Sequence, residues 1–175
     1  MTTRILRWGL LGTARINRAL IAPLRASPRN MLAAVASRAQ DRAEAYAKEW
    51  NIPRAFGSYE AMLADPDIDV IYNALPNHLH AEWTIKAAQA GKHVLCEKPM
   101  AVSVKEVEAM AGAAEKAKVV VAEAFMYRHH PQTLKMKELI DDGAIGKVQL
   151  VRGSFTFTLT REVDPSASSG QAPRL

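Results

Sequence analysis

The chain has 175 residues, 49% apolar and 23% charged, with a net charge of +5 and a pI near 9.5. Those values fit a soluble globular domain with a sizeable core and room for the start of a second. A single cysteine, Cys96, excludes an intrachain disulfide framework and makes a multi-cysteine metal site an unfavoured reading; no apolar run reaches membrane-span length and the N-terminus lacks a signal-peptide core, so a cytoplasmic protein is expected.

From Arg4 to Leu11 an apolar run reads as a buried strand, followed by a turn at Gly12-Thr13-Ala14-Arg15-Ile16-Asn17 and a helix to about Arg25 that Pro23 is expected to kink or shorten. Met31–Ala36 is a second strand. Asp41 and Glu44 suggest a capping pair for a helix running to Trp50, and Ser58 caps a short helix stopping before Asp65-Pro66. Ile68–Leu75 is a third strand, and Asn77 is expected to cap the next helix, whose Leu79, Trp83 and Ala87 share a face before Gly91 closes it. After a short strand at His93–Cys96, Ser103 and Glu106 form a capping box for a helix with a stripe at Val107, Met110, Ala111 and Ala114. Val119–Ala122 is another strand, and Pro131 and Gly143 bracket a further helix. From Lys147 to Leu159 apolar and polar residues alternate, as in a half-exposed antiparallel strand. Strand–helix alternation up to residue 123 implies βαβ units and a parallel sheet, while the later pattern implies a second, differently built region.

In open parallel sheets, ligands sit beyond the carboxyl ends of the strands. Four such ends carry polar chemistry here. The first turn keeps one glycine, Gly12, of the G-x-G-x-x-G pattern, with Ala14 and Asn17 at the other two positions, and Arg15 is placed to reach a phosphate. The second strand ends in Ser37-Arg38 with no acidic residue before Asp41, which suits the 2′-phosphate of NADP better than the bare ribose of NAD. The stretch Val70–Met100 contains two strand ends, one at Pro76-Asn77 with His80 nearby and one at Glu97-Lys98-Pro99. A lysine there can stabilise developing negative charge or move a proton, with Glu97 orienting it or bonding a ribose; the alternative is a helix cap beside surface residues. Arg128 and His130 are further candidates to reach this pocket. The basic residues are scattered and lack interleaved aromatics, so neither nucleic acid nor a membrane is expected as a partner.

Gly-Leu-Leu-Gly-Thr-Ala-Arg-Ile, Ala-Ser-Arg, Asn-Ala-Leu-Pro-Asn-His-Leu-His, Cys-Glu-Lys-Pro-Met-Ala and Glu-Ala-Phe-Met-Tyr-Arg-His-His-Pro, in that order, resemble the glucose–fructose oxidoreductase/inositol dehydrogenase (Gfo/Idh/MocA) family, toward its xylose/glucose and dihydrodiol dehydrogenase-like branch. The resemblance implies an α/β fold, a Rossmann-type doubly wound parallel sheet over residues 1–123, and over 124–163 the first strand of an incomplete second α/β domain; residues 164–175 match no family segment and are expected to be disordered. It implies hydride transfer between NADP, with NAD as the alternative, and a hydroxyl-bearing carbon on a sugar, cyclitol or diol. It also implies Lys98 as the active-site lysine, with Glu97 beside the nicotinamide. Gly12, Thr13, Ala14, Arg15 and Ile16 match the pyrophosphate turn, Ser37 and Arg38 the 2′-phosphate position, and Leu75, Pro76, Asn77 and His80 the segment beside the nicotinamide. Full-length relatives are expected to be homo-oligomers. The family's later glycine-rich segment with its Asp and His has no counterpart here, so the sequence reads as a truncated member with the cofactor half only, poor in turnover; a non-catalytic nucleotide-binding module is the competing reading.

Overall fold

A computed structural model describes residues 4–156, and the chain divides into two compact units between Ala124 and Phe125. The first unit is built on six parallel strands: β1 (Leu6–Leu11), β2 (Asn30–Ala36), β3 (Arg54–Phe56), β4 (Val70–Asn73), β5 (His93–Cys96) and β6 (Val121–Glu123). Their spatial order is β3-β2-β1-β4-β5-β6, so the chain reverses direction across the sheet between β1 and β4. That is the doubly wound order, and the reversal opens a crevice at the carboxyl edge.

Both sheet faces are covered, which explains strands that read as continuous apolar runs instead of alternating ones. Leu10, Leu32, Val35 and Tyr72 pack on one side with Ile21 and Leu24 of α1 (Asn17–Ala26) and Ala47 of α2 (Gln40–Glu49). Leu11, Ile71, Val94 and Cys96 pack on the other with Met62 of α3 (Tyr59–Leu63), Trp83 and Ala87 of α4 (His80–Gln89) and Met110 of α5 (Val104–Ala117).

Several local expectations hold. Ser58 Oγ accepts from Ala61 N at 3.1 Å, and Ser103 Oγ accepts from Glu106 N at 3.3 Å. Glu106 completes its box one residue early, accepting from Val102 N at 3.1 Å. Others are corrected. Helix α1 runs through Pro23 to Ala26, because Pro23 lies on the solvent face, where water can satisfy the carbonyl its ring leaves unpaired. Helix α2 starts at Gln40 after an Ala39 cap with no side-chain bond; Asp41 instead accepts from Arg42 N, and Glu44 accepts from the Gln40 amide. Asn77 caps nothing: it opens a short 3-10 turn over Asn77–Leu79 that leads into α4. On α5 only Met110 and Ala114 are buried, and Val107 and Ala111 stay exposed. The three-residue strand β3 was not foreseen; it is too short for a pattern and gains its identity only by pairing with Ala34–Ala36.

The amino edge of the sheet is closed by charge pairing. Asp69 accepts from Arg7 N, Nε and a terminal guanidinium nitrogen at 2.9, 2.8 and 3.0 Å, and from Arg4 at 2.6 Å. These bonds to Arg7 outweigh burial and hold the Asp69 carboxyl well below the usual carboxylate range. Lys92 is buried, which lowers its pKa, and its ammonium donates to the carbonyls of Asp65 and Ile68 at 2.7 and 2.8 Å.

The second unit contains a 3-10 turn at Met126–His129 and α6 (Pro131–Asp141), with none of the helix residues buried. Pro131 opens the helix, and Gly143 follows it with φ +72° as expected. The strand expected over Lys147–Leu159 is not formed over residues 147–156; the remainder of that stretch and the 164–175 tail lie outside the described residues.

Candidate functional site

Strand register brings the separate motifs to one edge. Leu11 pairs with Ala36 and with Asn73, Asn73 with Cys96, and Cys96 with Glu123. The residues just past these positions, Gly12, Ser37, the 74–77 loop and Glu97-Lys98, therefore stand along the carboxyl edge, on both sides of the β1/β4 crevice.

The first turn is tight and held by backbone bonds, with Gly12 N donating to Ala36 O at 2.9 Å. Gly12 has φ +84°, a conformation that a side chain disfavours, and a Cβ there would lie 3.0 Å from Leu75 Cδ2. Helix α1 begins after Ile16 with no side-chain cap; its first amides donate to the turn itself, Asn17 N to Ala14 O at 3.1 Å and Ala19 N to Ile16 O at 2.9 Å. Thr13 and Ala14 are half-buried; Arg15 and Ile16 are exposed. Asn17, at the third position of the degenerate glycine pattern, is fully buried and donates from Nδ2 to Gly12 O at 2.9 Å. A side-chain amide thus holds the loop at a position where the pattern has a third glycine.

Ser37 is buried just beyond β2 and donates its N–H to Phe56 O at 3.0 Å, while Arg38 reaches solvent. Arg42, on the first turn of α2, is a second cation here. Its charge and that of Arg38 both oppose the upward push that burial gives the Tyr59 phenol. Its signal in the sequence was spacing alone, four residues after Arg38.

Beyond β4 the loop is fixed from inside. Asn73 is fully buried; its Nδ2 donates to His80 O and Thr84 Oγ1, both at 3.1 Å, and its Oδ1 accepts from Leu75 N at 3.3 Å. Leu75 is buried, Pro76 half-buried and Asn77 exposed. His80 does not present its ring to the crevice. It is 1% exposed, with Nε2 2.7 Å from Leu75 O and Nδ1 2.8 Å from Pro99 O, so it ties the β4 loop to the β5 loop.

The β5 loop is pinned on several sides. Glu97 N donates to Asn73 O at 2.9 Å, and the Tyr72 hydroxyl donates to Glu97 Oε1 at 2.5 Å. Met100 N donates to Glu123 Oε1 at 2.8 Å, and the Lys98–Pro99 bond is cis. Lys98 itself is exposed, its backbone held and its ammonium free of any ion pair among the described residues. Cys96 is fully buried below it, and burial pushes its thiol up to about 12, so it stays a packed thiol. Arg128 and His130 belong to the second unit, where His130 Nδ1 accepts from Gln132 N and caps α6. No cluster of metal-binding side chains occurs among the described residues, and none of their helices is long and apolar enough to cross a membrane.

Residues 6–125 match the oxidoreductase family with an NAD-binding Rossmann fold, Gfo/Idh/MocA. The chain is 44% identical over 168 residues to D-xylose 1-dehydrogenase (NADP(+)) 2 of Haloferax volcanii, covering 93% of this chain and 51% of that protein. The 3-ketoreductase KijD10 of Actinomadura kijaniata, solved with TDP-benzene and NADP, superposes with a TM-score of 0.75 at 36% identity, over 82% of this chain and 46% of that one. Levoglucosan dehydrogenase, solved with NADH and levoglucosan, superposes with a TM-score of 0.77 at 34% identity, over 82% and 41%. The chain spans about half the length of the curated relatives it matches.

Proposed function

The chain belongs to the Gfo/Idh/MocA oxidoreductase family, and from that premise we propose that it carries the cofactor half of an NADP-dependent oxidoreductase acting on a sugar, cyclitol or diol hydroxyl. The observation that carries this reading is the single carboxyl edge on which Gly12, Ser37-Arg38 and Glu97-Lys98 stand in register. The tight positive-φ turn at Gly12 and the exposed Arg15 beside it suit a pyrophosphate. Ser37, Arg38 and Arg42 supply a hydroxyl and two guanidinium groups for a 2′-phosphate, and no acidic residue follows β2 before Asp41 to favour a bare ribose. The relatives with NADP in their names or crystals support that choice; the one with NADH keeps NAD as the second candidate.

The bound nicotinamide supplies the hydride acceptor. The chain's own part is then positional and electrostatic. The 74–77 loop and Glu97 bound the far end of the crevice, and Lys98 extends a charged ammonium from a fixed backbone toward the substrate oxygen. There it stabilises developing negative charge or exchanges a proton. Leu75 and Pro76 present apolar surface to the ring, while His80 acts from behind by fixing the loop. In the complete enzyme the substrate pocket and oligomer contacts fall to the remaining half of the relatives' length.

The test is a titration of the purified chain with NADPH and NADH, followed by cofactor fluorescence. NADPH binds more tightly, and Arg38→Ala weakens NADPH by about tenfold, the loss of one charge-assisted contact, while leaving NADH unchanged. Equal affinity for the two, or an equal effect of the substitution on both, overturns the NADP assignment. Binding of neither overturns the cofactor reading.

A further inference from the structure

We propose that Tyr72 is a positioning residue: it holds the Glu97 carboxylate in one orientation, leaving an oxygen of Glu97 to accept from a ribose hydroxyl at the nicotinamide end of the cofactor. This deepens the cofactor reading above and rests on it.

The strand geometry sets up the pair. Tyr72 lies opposite Leu95 in the β4–β5 ladder, and Glu97 is two residues beyond Leu95. Side chains two apart share a sheet face, so Tyr72 and Glu97 are diagonal neighbours on the face toward α1 and α2. Diagonal neighbours lie within reach of a long aromatic side chain, and the phenol spans the gap to put its hydroxyl 2.5 Å from Glu97 Oε1. Tyr72 is 3% exposed, and this is the one hydrogen bond its hydroxyl makes among the described residues. Burial first, then the hydrogen bond to Glu97 and its charge, push the phenol far above its ordinary range, so it remains a donor at every working pH.

The other carboxylate oxygen, Oε2, makes only a 3.2 Å contact with the N–H of Lys98. Glu97 is half-buried at the rim of the edge where the first turn and the end of β2 take the pyrophosphate and the adenine ribose. By exclusion the β4–β5 side receives the other ribose. A carboxylate accepts only, so a ribose hydroxyl is its natural donor. Without the phenol, Glu97 is free to rotate into solvent, and binding must then bear the cost of reordering it.

Two ligands separate this role from general support of the fold. NADPH occupies both halves of the site; adenosine 2′,5′-bisphosphate occupies the adenine half alone. In the full chain, Tyr72→Phe is expected to weaken NADPH about five- to tenfold, the loss of one charge-assisted hydrogen bond. The bisphosphate should bind as before. In a Glu97→Ala background Tyr72→Phe should cause no further loss, because it acts through Glu97. Glu97→Gln keeps an oxygen that accepts from Tyr72 and should lose markedly less NADPH affinity than Glu97→Ala; this comparison stands even where Tyr72→Phe fails to fold. The proposal is overturned by unchanged NADPH affinity in Tyr72→Phe, by equal losses for both ligands, by additive losses in the double variant, or by equal losses in Glu97→Gln and Glu97→Ala. A wild-type chain that binds neither ligand overturns the cofactor reading and this inference with it, an outcome distinct from wild type and Tyr72→Phe binding NADPH alike.

Discussion

Gly12→Ala tests how tightly the fold and the anion turn are coupled. Gly12 sits at φ +84°, and an added Cβ would meet Leu75 Cδ2 at 3.0 Å. Left-handed backbone costs an L-residue about 1–2 kcal/mol. Crowding a packed leucine adds about 1 kcal/mol, and the stiffer unfolded chain of the alanine variant offsets about 0.5 kcal/mol of that loss. The net destabilisation is about 2 kcal/mol, which at a urea m-value of about 1.5 kcal/mol/M moves the midpoint down by about 1.3 M. Leu75 lies in the 74–77 loop, proposed above to stand beside the nicotinamide, so the same methyl group should disturb both halves of the crevice, and NADPH affinity should fall at least about tenfold. Gly91→Ala is the matched control. Gly91 has φ +74° but nothing within 4 Å of its added Cβ, and it lies at the amino edge. It should show the backbone cost alone, about 1 kcal/mol, with NADPH binding intact. If Gly12→Ala matches Gly91→Ala in both midpoint and affinity, the Leu75 contact and its link to the site are refuted.

Two further expectations concern stability and reactivity. Asp69→Asn leaves the Arg7 and Arg4 donors facing an amide and should cost about 2 kcal/mol at pH 7. The folded pKa of Asp69 is depressed, so its contribution is complete above the unfolded carboxylate value near 4 and is lost as pH falls below it; urea midpoints of wild type and variant should therefore converge between about pH 5 and pH 2, and a gap that stays constant over that range would count against the pairing. Cys96, fully buried with its thiol pushed up to about 12, should resist alkylation by iodoacetamide at pH 8 in the native chain and react in urea; fast native labelling contradicts its placement.

Much of the architecture was legible because a parallel sheet covered on both faces imposes continuous apolar strands, and Leu6–Leu11, Asn30–Ala36 and Val70–Asn73 carry that mark. Gly12, Ser37-Arg38 and Glu97-Lys98 were legible as ends of such strands. What stayed hidden depends on which strand lies beside which. Strand β3 is three residues long and exists through its pairing with β2. Asn17 stands at a degenerate position of the glycine pattern and Asn73 inside an apolar strand, and only the fold shows that each holds a loop through a backbone carbonyl five or seven residues away. His80 was placed among the pocket residues from its spacing after Pro76. Its ring instead bridges the carbonyls of Leu75 and Pro99, a contact spanning 19 residues that no local pattern contains.

The two edges of the sheet spend their polar groups in opposite ways. At the amino edge Asp69 accepts four hydrogen bonds from Arg4 and Arg7, and Lys92 has buried its ammonium against two carbonyls. At the carboxyl edge the buried polar groups, Asn17, Asn73, Tyr72 and His80, bond to backbone, to Thr84 or to Glu97, while the side chains of Arg38, Asn77 and Lys98 reach solvent. A saturated edge can contribute stability but offers a ligand little, whereas an edge of fixed backbone with unspent donors is what anion and hydroxyl recognition requires. The polarity of the proposed site thus follows from the fold: in a parallel sheet all strands end on the same side, so the loops after β1, β2, β4 and β5 lie at one edge, where buried side chains steady the backbone and exposed ones face outward.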